Sequence, residues 1–201
     1  MFGLEERKIF VSEMRFSQSF FPNMQVVILC GGLGTRLREE TEYRPKPMVP
    51  VGGRLRRAIP FIADDTFLFT YGDGLTNSDI NGSIAFHKRH GAVATVTAVK
   101  PTGRFGELAM DGETITGFHE KPEDENGFIS GGFFVLDKRV GDYLGEQDDC
   151  VLERQPMERL VKEGNLKAWC HDGFWQCMDT YREQELLNRM WMAGKAPWKI
   201  W

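Results

Sequence analysis

Apolar residues along this chain come in short unbroken runs more often than in strict alternation. Gln25–Cys30 (QVVILC) is continuous and β-branched and runs straight into glycine, the pattern of a strand covered on both faces of a parallel sheet. Thr66–Tyr71 (TFLFTY) repeats the pattern and ends in Gly72, Asp73 and Gly74. Ala92–Val99 (AVATVTAV) predicts a third strand of the same kind. Between the second and third, Ser78–His90 places Ile80, Ile84, Ala85 and Phe86 on one helical face, and Gly91 supplies the stop. Leu55–Ala63 is a further helix candidate, interrupted by Pro60. After Pro101 the pieces shorten to GELAM, ETITGFHE and SGGFFVLD, which predict a smaller antiparallel or mixed layer. Val151–Lys162 then reads as a helix ended by Gly164, Leu166–Cys170 as a strand, and Thr180–Met192 as a terminal helix. Strands alternating with helices make this an α/β chain, and ligands of open α/β sheets sit at the carboxyl ends of strands.

Composition narrows the class without choosing a chemistry. With 201 residues, 41% of them hydrophobic and 27% charged, the chain can bury one core and is short for two. A net charge of -4 gives no basic field for nucleic acid or an anionic membrane, so an anionic substrate must be held by a local cluster. Cys30, Cys150, Cys170 and Cys177 form no CxxC pair and read as reduced thiols. Cys170, His171 and Cys177 are too few and too unevenly spaced for a zinc site. Charges at Glu5, Glu6, Arg7, Lys8, Glu13 and Arg15 break any leader-like apolar segment, so a cytoplasmic protein is expected. Residues 1–23 are read as an extension of poor order, with one domain over 24–201.

The chemistry begins where the first strand ends. In Gly31–Arg36 (GGLGTR) three glycines within four positions allow successive peptide N–H groups to converge on one point, a nest for an anion. Arg36 adds a planar fork for phosphate oxygens, and Lys46, between Pro45 and Pro47, adds a second cation on a stiffened segment. A plain glycine turn is the competing reading, and the strand before and cation after weigh against it. A P-loop would need GxxxxGK followed by Ser or Thr, and no such string occurs. A dinucleotide fingerprint would need Gly or Ala three residues after Gly34, where Leu37 stands.

The run GGLGTRLREETEYRPKPMVPVGG resembles the signature of the sugar-1-phosphate nucleotidyltransferase family, and YGDG, FWQCMDT and GKAPWKIW are similar to its cytidylyl-transferring branch. The resemblance covers residues 24–201. It implies a Rossmann-like, GT-A-like mixed sheet with flanking helices, with CTP and glucose-1-phosphate as substrates, CDP-glucose and pyrophosphate as products, Mg²⁺ as cofactor, and a homo-oligomer. UTP or dTTP is the alternative within the family. In such a reaction the nucleophile is already an anion, so catalysis rests on positioning and charge neutralisation.

The same resemblance assigns residues. Leu29, Cys30, Gly31, Gly32, Leu33, Gly34, Thr35 and Arg36 would hold the nucleotide, with Arg36 facing the leaving pyrophosphate and Lys46 gripping the sugar phosphate. Asp73, next to Gly72, and Asp179 would chelate Mg²⁺ through hard oxygens. Glu120 would accept sugar hydroxyls with Lys121 near phosphate, Gly106 and Gly132 would let backbone approach the sugar, and Arg56 would border the nucleotide. Turn glycines and a solvated basic helix start are the bland alternatives for the last three.

One feature departs from the family pattern. VPVGGR runs directly into LRRAIPFIADDTFLFTYGDG, as though two glycine-rich sites had been joined near 52–54 and two strand-and-helix units, on the order of 60–80 residues, lost between them. An exposed sheet edge, lost contacts to the base and poor stability as a monomer are expected. A second reading follows, of a different class: an inactive remnant that binds nucleotide or an intact homologue.

Overall fold

The computed structural model describes residues 9–14, 24–29, 51–100, 107–111, 114–119, 128–145 and 150–200. Its frame is a six-stranded sheet. Strand β2 (Met24–Leu29) lies parallel to β3 (Thr66–Tyr71) with Leu29 level with Tyr71. Both strands therefore end at one edge of the sheet. Helix α1 (Val51–Ala58) and a 3-10 turn (Ile59–Phe61) lie on the connection between them. Pro60 stands inside that turn, and a prolyl nitrogen has no proton to continue an α-helix. The helix accordingly begins at Val51, four residues before the predicted start, and stops at Ala58.

Both faces of β2 and β3 are covered, as their unbroken apolar runs require. Val27, Leu29, Phe67, Phe69, Phe134 and Leu136 pack on one side with Leu55 and Ala58 of α1 and with Leu160 of α3 (Gln155–Lys162). Met24, Val26, Leu68 and Val135 face the other side, against Ile84 of α2 (Ile80–His90). Residues of one strand thus alternate between two separate cores. Helix α2 starts two residues later than the sequence suggested, at an N-cap the reading did not single out: the Asp79 side chain accepts from the Gly82 N–H, and Gly91 takes the expected stop in the left-handed conformation with φ 65°. Helix α3 starts four residues later than the sequence suggested, with Pro156 in its first turn. Among the described residues, no helix is long and apolar enough to cross a membrane.

Two placements differ from the sequence reading. SGGFFVLD belongs to β8 (Ile129–Asp137), which sits at the centre of the main sheet, antiparallel to both β3 and β5 (Ala94–Val99). Phe134 and Leu136 on one face and Val135 on the other are buried, which an edge layer would not provide. Among the described residues of that region, β6 (Glu107–Asp111) and β7 (Thr114–His119) form a separate antiparallel ladder. The second difference is at the other edge. Ile9–Met14, for which the sequence reading gave no element, forms β1, antiparallel to β2 from Ile9 opposite Leu29 to Met14 opposite Met24. Strand order is β1-β2-β3-β8-β5-β9, with β9 (Leu166–His171) parallel to β5. The expected bare edge of β2 is therefore occupied, because unpaired peptide groups there accept any strand of suitable composition.

The end of α2 carries a titratable network. Ala92 N–H donates to Nδ1 of His90, whose Nε2 lies 2.8 Å from Oγ1 of Thr95. The same hydroxyl lies 2.9 Å from Nδ1 of buried His87. His90, accepting at Nδ1, must donate from Nε2; the Thr95 hydroxyl then donates to His87, and both rings are neutral. Burial, and next the charge His90 would carry, push His87 down to about 4. Burial and then Lys167 and Arg89 lower His90 as well. The unfolded chain takes up these protons at higher pH than the fold does. Stability is therefore complete above the ordinary histidine value and is lost as pH falls from there toward about 4. For His87 alone the loss is about 3 kcal/mol. Urea midpoints measured from pH 7 to pH 4.5 should fall more steeply for the native sequence than for His87→Leu, and equal slopes would refute the network.

Candidate functional site

Asp73 and Asp179 are far apart in sequence, and a short ladder joins them. Strand β4 (Gly74–Thr76) pairs antiparallel with β10 (Trp175–Cys177), Gly74 opposite Cys177. The Met178 N–H extends that ladder, donating to the carbonyl of Asp73 at 2.8 Å. Each aspartate thus flanks the last rung, one on either strand. Both line a cavity of about 200 Å³ together with Tyr71, Gly132, Trp175 and Cys177. The cavity lies at the carboxyl end of β3, beside that of β2: the Gly72 N–H donates to the Leu29 carbonyl at 3.1 Å. That bond ties Leu29 to the turn carrying Asp73.

The walls of the cavity are held from three sides. The Trp175 indole N–H donates to the Gly131 carbonyl at 2.8 Å, linking β10 to β8. Gly132 has φ +78°, and a Cβ there would lie 2.8 Å from Cδ2 of Tyr71. Its need for glycine comes from backbone conformation and from the Tyr71 ring. The Tyr71 hydroxyl donates to Glu153. Burial first, and then that bond and the Glu153 charge, hold its ionisation far above the ordinary phenol value, so Tyr71 stays a neutral donor. The charge of Arg54 acts on Tyr71 in the opposite sense. The Cys177 thiol lies 3.8 Å from Oδ2 of Asp179.

Two arginines of α1 differ in burial. Arg56 is exposed and donates from Nη1 to the Gly145 carbonyl at 3.0 Å. Arg54, two residues earlier on α1, is buried and is the arginine whose charge reaches Tyr71. A helical step of two residues turns a side chain to the opposite face, which the GGRLRR string does not disclose. Tyr71, Glu153 and Trp175 were likewise not singled out from the sequence. Glu183 was missed too, although Thr180-x-x-Glu183 ahead of an apolar stretch is a readable capping-box signature. Cys30, Gly31, Gly32, Leu33, Gly34, Thr35, Arg36, Lys46, Gly106, Glu120 and Lys121 lie outside the described residues.

The donor set suits a hard cation. Among the described residues no group of three or more His, Cys, Asp and Glu side chains gathers as a metal cage. Two aspartates on one cavity are instead the partial, oxygen-only set that Mg²⁺ takes when substrate phosphates and water complete its shell.

Comparison with known proteins gives the family and the fold. Residues 55–176 match the family model described as Nucleotidyl transferase. The chain is 35% identical over 257 residues to the glucose-1-phosphate cytidylyltransferase of Salmonella typhi, covering 89% of this chain and 100% of that one. It is 41% identical over 149 residues to a Bacillus subtilis (strain 168) protein named probable glucose-1-phosphate cytidylyltransferase, covering 74% and 58%. The crystal structure of HddC from Yersinia pseudotuberculosis shares the fold, with TM-score 0.54 at 17% identity over 77% of this chain and 71% of that one. The chain belongs to the nucleotidyl transferase family. Its length differs from that of the Salmonella typhi relative: 89% of 201 residues is about 179, so about 78 of the 257 aligned positions have no counterpart here.

Proposed function

We propose that the chain transfers a cytidylyl group from CTP to glucose-1-phosphate, releasing pyrophosphate and forming CDP-glucose. The observation that carries this reading is the ladder that sets Asp73 and Asp179 on one cavity at the carboxyl end of β3. An oxygen of the sugar phosphate attacks the α-phosphorus. The new P–O bond forms as the bond to the bridging oxygen of the β-phosphate breaks, and the electron pair leaves with pyrophosphate. Arg36 and the amides of Gly31–Gly34 hold the triphosphate, Arg36 offsetting charge on the departing group, and Lys46 holds the sugar phosphate. Glu120 and Lys121, with the backbone at Gly106 and Gly132, orient the sugar. Asp73 and Asp179 would hold Mg²⁺, which supplies charge neutralisation on phosphate oxygens. Neutral Tyr71, hydrogen-bonded to Glu153, walls this cavity without competing for the cation.

A second reading rests on the length difference. If the absent positions fall at Gly52–Gly53, the strands that would border the base are missing, and the chain is a binding remnant rather than a catalyst. Pyrophosphate release with glucose-1-phosphate, Mg²⁺ and each of CTP, UTP, dTTP and ATP separates the possibilities. Turnover with CTP at least about tenfold above the others supports the proposal. Preference for another nucleotide refutes the choice of base, and a folded chain without turnover leaves the remnant reading standing.

A further inference from the structure

The geometry points to Glu183 as a positioning residue that sets the direction of the Asp179 carboxylate; this rests on the reading of Asp179 as a cation ligand. Asp179 stands one residue ahead of Thr180, the N-cap of α4 (Tyr181–Met192). The Glu183 carboxylate, only 8% exposed, reaches back and accepts from two consecutive peptide groups, Asp179 N–H and Thr180 N–H, both at 2.8 Å on the same oxygen. The Thr180 hydroxyl completes the box by accepting from the Glu183 N–H at 3.3 Å.

A capping box ordinarily bonds the N-cap N–H alone. Here the same oxygen also holds the residue before it, which is the candidate ligand. With the Met178 N–H on the Asp73 carbonyl, three successive peptide groups, Met178, Asp179 and Thr180, are each fixed by a partner. One partner is the backbone of the other aspartate, and two are supplied by Glu183. The backbone torsions that aim Asp179 into the cavity are therefore set jointly by β4 and by α4. Supporting groups of this kind usually change metal affinity by 10–100-fold when lost.

The prediction separates aiming from helix stability. Mn²⁺, titrated into the full chain with CTP present and no sugar phosphate, and followed by the relaxation it imparts to water protons, reports cation binding at the site without turnover. Glu183→Ala should weaken binding about tenfold or more, and Glu183→Gln, whose amide oxygen accepts the same two N–H groups, should recover most of it. Thr180→Ala removes the other half of the box and should lower the melting temperature about as much as Glu183→Ala, while leaving Mn²⁺ affinity within about twofold. Equal weakening by Thr180→Ala and Glu183→Ala overturns the proposal, since helix fraying would then explain both. So does unchanged binding in Glu183→Ala. A native sequence that binds no Mn²⁺, or binds it no better than Asp179→Asn, removes the ligand reading itself and the positioning role with it.

Discussion

Asp73→Asn and Asp179→Asn should each reduce pyrophosphate release on the order of 10²–10³-fold or more while leaving the fold intact. The backbone argues for the intact fold. Asp73 bonds Met178 through its carbonyl oxygen and Asp179 bonds Glu183 through its N–H, and both groups survive in asparagine. What asparagine lacks is the second anionic oxygen. A cation bound mainly by substrate phosphate and water draws its protein contribution from just these one or two carboxylates. Removing either charge should also make the double variant little worse than each single one, because the pair acts as one site. The measurement is steady-state pyrophosphate release across a Mg²⁺ series, with circular dichroism to confirm folding. Near-native turnover by either variant would remove that aspartate from the site.

The second large effect concerns the strand that occupies the sheet edge. In a strand, adjacent N–H groups point to opposite sides, so of Val11 and Ser12 in the middle of β1, one donates toward β2 and the other points away. Val11→Pro and Ser12→Pro should therefore differ sharply. The inward one loses a ladder bond and should cost about 2 kcal/mol, a fall of ~4–8 °C in melting temperature for a chain of this size. The outward one should be close to neutral, as edge strands tolerate proline on their open side. The damaging variant should also associate at high concentration, because it uncovers β2, a strand with Met24, Val26, Val27 and Leu29 buried on its two faces. Differential scanning calorimetry with sedimentation checks both. Two neutral variants would mean that β1 adds nothing to the sheet.

Without β1, the edge of β2 would present its peptide groups to water. Here an antiparallel segment from the chain's first residues covers it, with six paired positions. Ile9, Phe10 and Val11 have the β-branched and aromatic character that suits a strand. Charge at Arg7, Lys8 and Glu13 on either side obscures that character in the sequence.

Local chemistry made much of the fold legible. Continuous apolar runs identified β2, β3 and β5, because a strand packed on both faces has no polar phase to show. Gly91 marked the end of α2, since caps act within one turn. The glycine-rich string and the YGDG and MDT contexts carried the family by themselves, as backbone amides and carboxylates must be spaced closely to meet a phosphate and its cation. Boundaries were less legible at α1 and α3, where prolines fall inside or beside the helix and a few neighbouring contacts decide the first turn.

What the sequence alone determined is the inventory: the strands other than β1, β4 and β10, most helices, Asp73 at a strand end, and the family, all of which follow from neighbours within a few positions. The tertiary structure alone decided which pieces meet. It inserted β8 between β3 and β5, laid β1 along β2, turned Arg54 inward and Arg56 outward, and brought Asp179 to Asp73 through β4, β10 and Glu183. The reason is physical. Pairing between distant segments is selected by register, burial of both sheet faces and satisfaction of every peptide group at once, and none of these is a property of any segment by itself.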